Sequence, residues 1–136
     1  MSFIQNCFLR NAIKDYAIFV TILGYTPMYK IYRNNIEGNN LVLESGTWHF
    51  TDSDNHPNCI DCKTNEDLFF ALAALRDDSD NRQWFVIDEY LGQEELPNIL
   101  LGSLHLCTTD KHEDSLPKYF KYHKATPEEL IKLFKM

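Results

Sequence analysis

The stretch Leu68 to Leu75 (LFFALAAL) constrains this chain more than any other, because eight apolar residues follow one another without a polar break. A helix of that sequence is apolar all round, so neighbours must cover it from more than one direction. The residues just before it supply a helix start. Thr64 and Asp67 stand at capping spacing, and Glu66 and Asp67 suit the positive end of a helix dipole. A buried central helix over about 65–76 is therefore expected, with the rest of the chain built around it.

The segments on either side predict more strands than helices. Ser2 with Gln5 fits a capping box, and Ile4, Phe8, Leu9, Ala12 and Ile13 share one helical face, which predicts a first helix over about 3–14. Ile18, Val20 and Ile22 favour a buried strand over 16–23, with a continued helix as the other reading. Strands are further expected over 28–33, 41–44 and 47–51, the last two joined at Ser45-Gly46, and then over 84–87, 99–107 and 119–123. The segments 52–63 and 76–83 read as exposed loops, and Lys118 and Lys121 suit an edge strand. Thr126, Pro127 and Glu129 mark the start of a C-terminal helix over about 127–135. Strand and helix do not alternate strictly, which predicts an α+β fold. It would be a mainly antiparallel sheet of about five to seven strands packed by the central helix. A length of 136 residues fits one domain, 1–136.

Charge is distributed unevenly. Residues 52–95 carry twelve acids against Lys63, Arg76 and Arg82, a local net of −9 within a chain of net −7. Such a field repels phosphate backbones and attracts basic surfaces, so a basic protein partner is expected and nucleic acid is not. Asp77, Asp78, Asp80, Glu94 and Glu95 are the candidate protein-binding residues. No apolar run reaches the length of a membrane span. The apolar run Tyr16 to Tyr25 follows Lys14 and Asp15 and lacks a small-residue cleavage site, unlike a signal peptide. Four cysteines are too few for a disulfide scaffold. A cytoplasmic setting with free or metal-bound thiols is expected.

One local pattern could carry chemistry. His56-x-x-Cys59-x-x-Cys62 could place a nitrogen and two sulfurs on one zinc ion, with Cys107, His105 or His112 completing a tetrahedron from further along the chain. In zinc-dependent nucleoside deaminases a P-C-x-x-C opens a helix. Here Asn58 separates Pro57 from Cys59, and His49 is followed by Phe50 and Thr51 rather than by the H-x-E element, so that family is set aside. Asp88 and Glu89 follow the expected inner strand and are the candidate pair for acid–base work. No Walker A, G-x-S-x-G or H-E-x-x-H pattern occurs. The expected function is a small acidic interaction domain: an inhibitor, adaptor or immunity-type partner, with no cofactor and with a homodimer open. The alternatives are a zinc-binding domain and a small carboxylate enzyme.

Overall fold

The computed structural model describes residues 2–28, 38–92 and 100–135. Among these the chain is α+β, with three helices and eight strands in two sheets. The expected single sheet is thus divided. A mixed sheet has the order β2 (Thr26–Pro27), β4 (Thr47–Thr51), β3 (Asn40–Glu44), β1 (Cys7–Leu9), β5 (Ile60–Asp61), and an antiparallel sheet has the order β7 (Leu104–Leu106), β6 (Trp84–Tyr90), β8 (Phe120–Lys124).

The first correction concerns the N-terminus. Residues expected to be helical form β1 (Cys7–Leu9), which pairs antiparallel with β3 (Asn40–Glu44) and parallel with β5 (Ile60–Asp61). Cys7, Phe8 and Leu9 are buried in succession. Three consecutive buried side chains need cover on both faces of an extended segment, which an inner strand receives and an amphipathic helix does not. Phe3 stacks on Tyr25 with ring centroids 3.7 Å apart, and the Ile4 amide donates to Leu75 O at 3.0 Å. The strand β5 lies inside the segment expected to be loop. Two residues suffice because both of its amide contacts, Ile60 N to Asn6 O and Cys62 N to Phe8 O, are 3.0 Å bonds to the β1 segment.

The second correction is α1 (Tyr16–Leu23), a helix where a strand was favoured. Ala17, Val20 and Leu23 recur at helical spacing and face the core. Gly24 ends the helix with φ 118°, and its amide bonds Thr21 O and Val20 O. Tyr25 then turns inward and donates its hydroxyl to Ala73 O at 3.0 Å.

The hairpin of β3 and β4 (Thr47–Thr51) forms as expected. Ser45 (φ 52°) and Gly46 (φ 82°) both have the positive φ of a type I′ turn. β2 (Thr26–Pro27) adds to β4 in parallel. Residues 29–33 of the next expected strand lie outside the described residues.

The central helix is α2 (Glu66–Ala73). Its cap is Asn65 rather than Thr64: the Asn65 side chain accepts from the Leu68 amide at 3.1 Å. The helix is shorter than expected at its C-terminal end, where Arg76 bridges to Phe3. Leu68, Phe69, Ala71, Leu72 and Ala73 are all buried. The 76–83 segment is not simply solvated, since Arg76 is 7% and Gln83 0% exposed. Arg76 Nη1 donates to Leu23 O at 3.2 Å, at the C-terminal end of α1, and Nε forms an ion pair with Asp78 at 3.3 Å. Gln83 Nε2 donates to Arg76 O at 2.9 Å.

β6 (Trp84–Tyr90) is the inner strand of the second sheet, between β7 (Leu104–Leu106) and β8 (Phe120–Lys124). The expected strand over 99–107 is therefore only three residues long in its described part. The edge position of β8 agrees with its lysines. In α3 (Pro127–Phe134) the capping box is complete: Glu129 N donates to Thr126 Oγ1 at 3.2 Å and Thr126 N to Glu129 Oε1 at 3.0 Å. One apolar cluster joins Cys7 and Leu43 of the first sheet, Leu72 of α2, Val86 of the second sheet and Leu130 of α3. No helix of the described residues is long and apolar enough to cross a membrane.

Leu72 sits at the centre of that cluster, so Leu72→Ala should destabilise the chain by about 2–5 kcal/mol in urea unfolding. The exposed Ile22 provides the contrast, and Ile22→Ala should stay within about 0.5 kcal/mol of the parent. Equal effects at the two positions would contradict this packing.

Candidate functional site

The described structure contains a cleft of about 430 Å³ where α1, α2 and α3 meet the second sheet. One wall comes from Phe19 of α1 with Phe70 and Ala71 of α2, and the two rings lie 4.4 Å apart. The other comes from Trp84 of β6, Leu106 of β7 and Phe134 of α3, with Trp84 and Phe134 edge to face at 5.3 Å. Both walls are fixed by longer-range bonds. Asn65 Nδ2 donates to Phe134 O at 2.6 Å, tying the end of α3 to the start of α2. Tyr16 packs edge-on against Phe70 at 5.0 Å. A hydrogen bond to Glu66, with burial second, pushes the Tyr16 hydroxyl up to about 12.

Two charged side chains line the same cleft, Asp67 in the first turn of α2 and Arg82 just before β6. Neither belongs to an ion pair among the described residues. Arg82 has φ 69°, a left-handed backbone that costs a residue with a side chain about 1 kcal/mol. Pairing on both sides holds it there. Arg82 N donates to Cys107 O and Cys107 N to Gln83 O, each at 2.8 Å, and Gln83 N donates to Asp80 O at 3.0 Å.

The residues singled out from sequence do not assemble. His56 Nε2 lies 2.7 Å from Ser53 O, and its ring meets Phe8 at 4.7 Å. Cys59 is half-buried; burial pushes its thiol up to about 11, and Sγ reaches only Leu43 O at 3.9 Å. Cys62 is buried beside Cys7, whose thiol is raised well above its usual value by burial and then by the hydrogen bond to Cys62. Cys107 belongs to a separate cluster with Phe85 and Leu116, where Sγ contacts Thr109 O at 3.0 Å. The donor atoms of His56, Cys59, Cys62 and Cys107 therefore do not converge.

The metal-type grouping found among the described residues is Asp80, His112 and Glu113. Its carboxylates already have partners within the chain. His112 Nδ1 and Lys124 Nζ each lie 3.0 Å from Asp80, and His112 Nε2 lies 3.3 Å from Glu113. Burial alone would raise the Asp80 carboxyl, but the hydrogen bonds from His112 and Lys124 outweigh it and hold it below the usual range.

Among the acids expected to bind a partner, Asp80 is spent in this way, Asp78 pairs with Arg76, and Asp77 accepts from Ser2 N at 3.3 Å. Glu94 and Glu95 lie outside the described residues. Asp88 does meet a base. A β-bulge between Ile87 and Glu89 sets Asp88 against His123, Oδ1 to Nδ1 at 2.7 Å, and Glu129 Oε1 takes the other ring nitrogen at 2.9 Å. Two further clefts are described, one of about 530 Å³ beside Cys62 and Ile131 and one of about 330 Å³ beside Arg10 and Asp54. Asp88, Glu89 and His123 line none of the three.

The clamped His123 makes stability depend on pH. Partial burial opposes its charged form, but Glu129 and Asp88 outweigh that and raise its pKa above 6.5. Glu129, pulled upward by burial, is lowered on balance by the Thr126 amide and His123. The His123 contribution is thus fully present below about 6.5 and is lost as pH rises through the raised folded value. The melting temperature should fall over that interval, and His123→Gln should flatten the fall. An unchanged slope in the variant would contradict the clamp.

Comparison of the chain with protein-family models, with curated proteins and with solved structures finds no match.

Proposed function

We propose that the chain is a protein-interaction domain that docks through the outer face of α1 onto an apolar surface flanked by basic residues. The observation that carries this reading is the composition and exposure of that helix. Tyr16 to Leu23 contains no charged residue, and Ile18 and Ile22, one turn apart, are 64% and 79% exposed. Two large aliphatic side chains stacked on one helical face form a ridge rather than scattered exposure, and ridges of this kind fit apolar grooves.

Charge supports a basic partner. Asp15 is exposed at the start of α1, and Glu66 reaches its first turn through the Tyr16 hydroxyl. Two carboxylates and the exposed Lys14 therefore stand at one end of an uncharged ridge, a local net of −1 within a chain of net charge −7. Lysines or arginines flanking the partner's apolar contact would meet the carboxylates, and the net field would speed encounter. This reading keeps the acidic interaction domain expected from composition but moves its contact surface away from Asp77, Asp78 and Asp80, whose carboxylates have partners within the chain.

The double variant Ile18→Ser/Ile22→Ser alters only exposed side chains and should melt like the parent. Immobilised parent chain should recover a partner from native lysate, with association slowed by added salt, and the double variant should lose that partner. Recovery of the same partner at the same yield by the variant would overturn the reading, as would a parent chain that recovers nothing.

A further inference from the structure

We propose that Cys62 and Cys7 form a thiol–disulfide exchange site, which small-molecule disulfides reach through the cleft between β5, the start of α2 and α3. This is independent of the docking role of α1, none of whose residues lines that cleft. The cleft has a volume of about 530 Å³, within the range of small-molecule sites. Cys62 is part of its wall, with Ile60 beside it, Leu68 from α2, and Ile131 and Phe134 from α3. None of the other three cysteines lines any of the three described clefts. Cys62 is therefore the cysteine with a route to a small reagent, although only 2% of it is exposed.

Strand pairing supplies the second thiol. β1 and β5 run parallel with Cys7 opposite Ile60, and Cys62 N donates to Phe8 O at 3.0 Å, so the chain follows β1 beyond the end of β5. Residues 60 and 62 share a face of the strand. Cys62 and Cys7 meet in the core cluster, and their thiols are hydrogen-bonded to each other. Cys59 stands outside that cluster, with its Sγ 3.9 Å from Leu43 O. The pair is thus set by the contact between β1 and β5, not by the Cys-x-x-Cys spacing.

The chemistry is two successive exchanges. The Cys62 sulfur, its proton released, attacks one sulfur of a disulfide R–S–S–R; a Cys62–S–S–R bond forms and RS⁻ leaves, to be protonated as RSH. The Cys7 sulfur then attacks the Cys62 sulfur. The Cys7–Cys62 disulfide forms, a second RS⁻ leaves, and the Cys7 proton passes to it. Two protein thiols are oxidised and one R–S–S–R is reduced to two RSH. Burial makes Cys7 hold its proton firmly, but its contact with Cys62 makes the second step intramolecular. The product ties the edge strand β5 covalently to β1.

The test is a time course of the full, reduced chain with oxidised glutathione, stopped by alkylation and read by intact mass and peptide mapping. A glutathionyl adduct should appear first on Cys62. It should then be lost as a Cys7–Cys62 disulfide accumulates, and dithiothreitol should restore the starting mass. Cys107 should stay free to alkylate after unfolding. Cys7→Ala should stop at the Cys62 adduct, and Cys59→Ser should follow the parent's course. The parent's peptide map decides the pairing even where Cys7→Ala fails to fold. A first adduct on Cys59, a Cys59–Cys62 disulfide, or no reaction at Cys62 would each overturn the proposal. So would modification of all four thiols at one common rate, the pattern that global unfolding gives.

Discussion

The burial of α2 is the constraint on which the rest of the molecule depends. A helix with Leu68, Phe69, Ala71, Leu72 and Ala73 all out of water has almost no face left for solvent. One sheet cannot cover it. The mixed sheet packs on one side through β1, and α3 takes another, while the core cluster extends through Val86 into the second sheet. The energetic reason is additive: each buried large aliphatic or aromatic side chain contributes about 1.5–3 kcal/mol, and leaving one side of α2 wet would forfeit several such terms. The cover is incomplete at one residue. Phe70 is only half-buried, between Phe19 of α1 and the wall formed by Trp84 and Phe134. The cleft is the gap left where the second sheet, α1 and α3 share α2.

Charged groups are used mainly to fasten this assembly. Buried Arg76 ties the end of α1 to the turn after α2, Asp80 joins the 76–83 segment to β8 and the turn at His112, and His123 joins the β6 bulge to the capping box of α3. Arg10 holds Asp54 and Asp61 against the first sheet. The acidic stretch that dominates the composition is therefore partly internal wiring. Asp67 and Arg82 line the cleft as exposed side chains outside this wiring.

What was legible in the sequence was what local chemistry determines. The run Leu68 to Leu75 gave away a buried helix, Ser45-Gly46 a tight hairpin, and Thr126 with Glu129 a capping box, because each signal lies within a few residues. The errors came where tertiary pairing overrode a local pattern. Ser2 and Gln5 have capping spacing, yet the residues after them fill the slot between β3 and β5. The β-branched residues of Tyr16 to Leu23 favoured a strand, while Gly24 and the spacing of Ala17, Val20 and Leu23 favoured the helix that formed. Nothing local marks the cleft, since Phe19 and Phe134 come from opposite ends of the chain and the strain at Arg82 arises from pairing with Cys107. His56, Cys59 and Cys62 misled in the opposite sense, because close spacing in sequence places them in different surroundings, one ring on Phe8 and one thiol beside Cys7.

If α2 is the shared support of both sheets, the two sheets cannot open independently. Native-state hydrogen exchange tests this directly, by comparing the amides of Leu41 to Leu43 in β3 with those of Phe85 to Ile87 in β6. The account predicts that the slowest amides of both strands and of α2 exchange with one common free energy, equal to that of global unfolding. A second sheet that exchanges at markedly lower free energy while β3 and α2 stay protected would contradict it, and the cleft at their seam would then lack a stable wall.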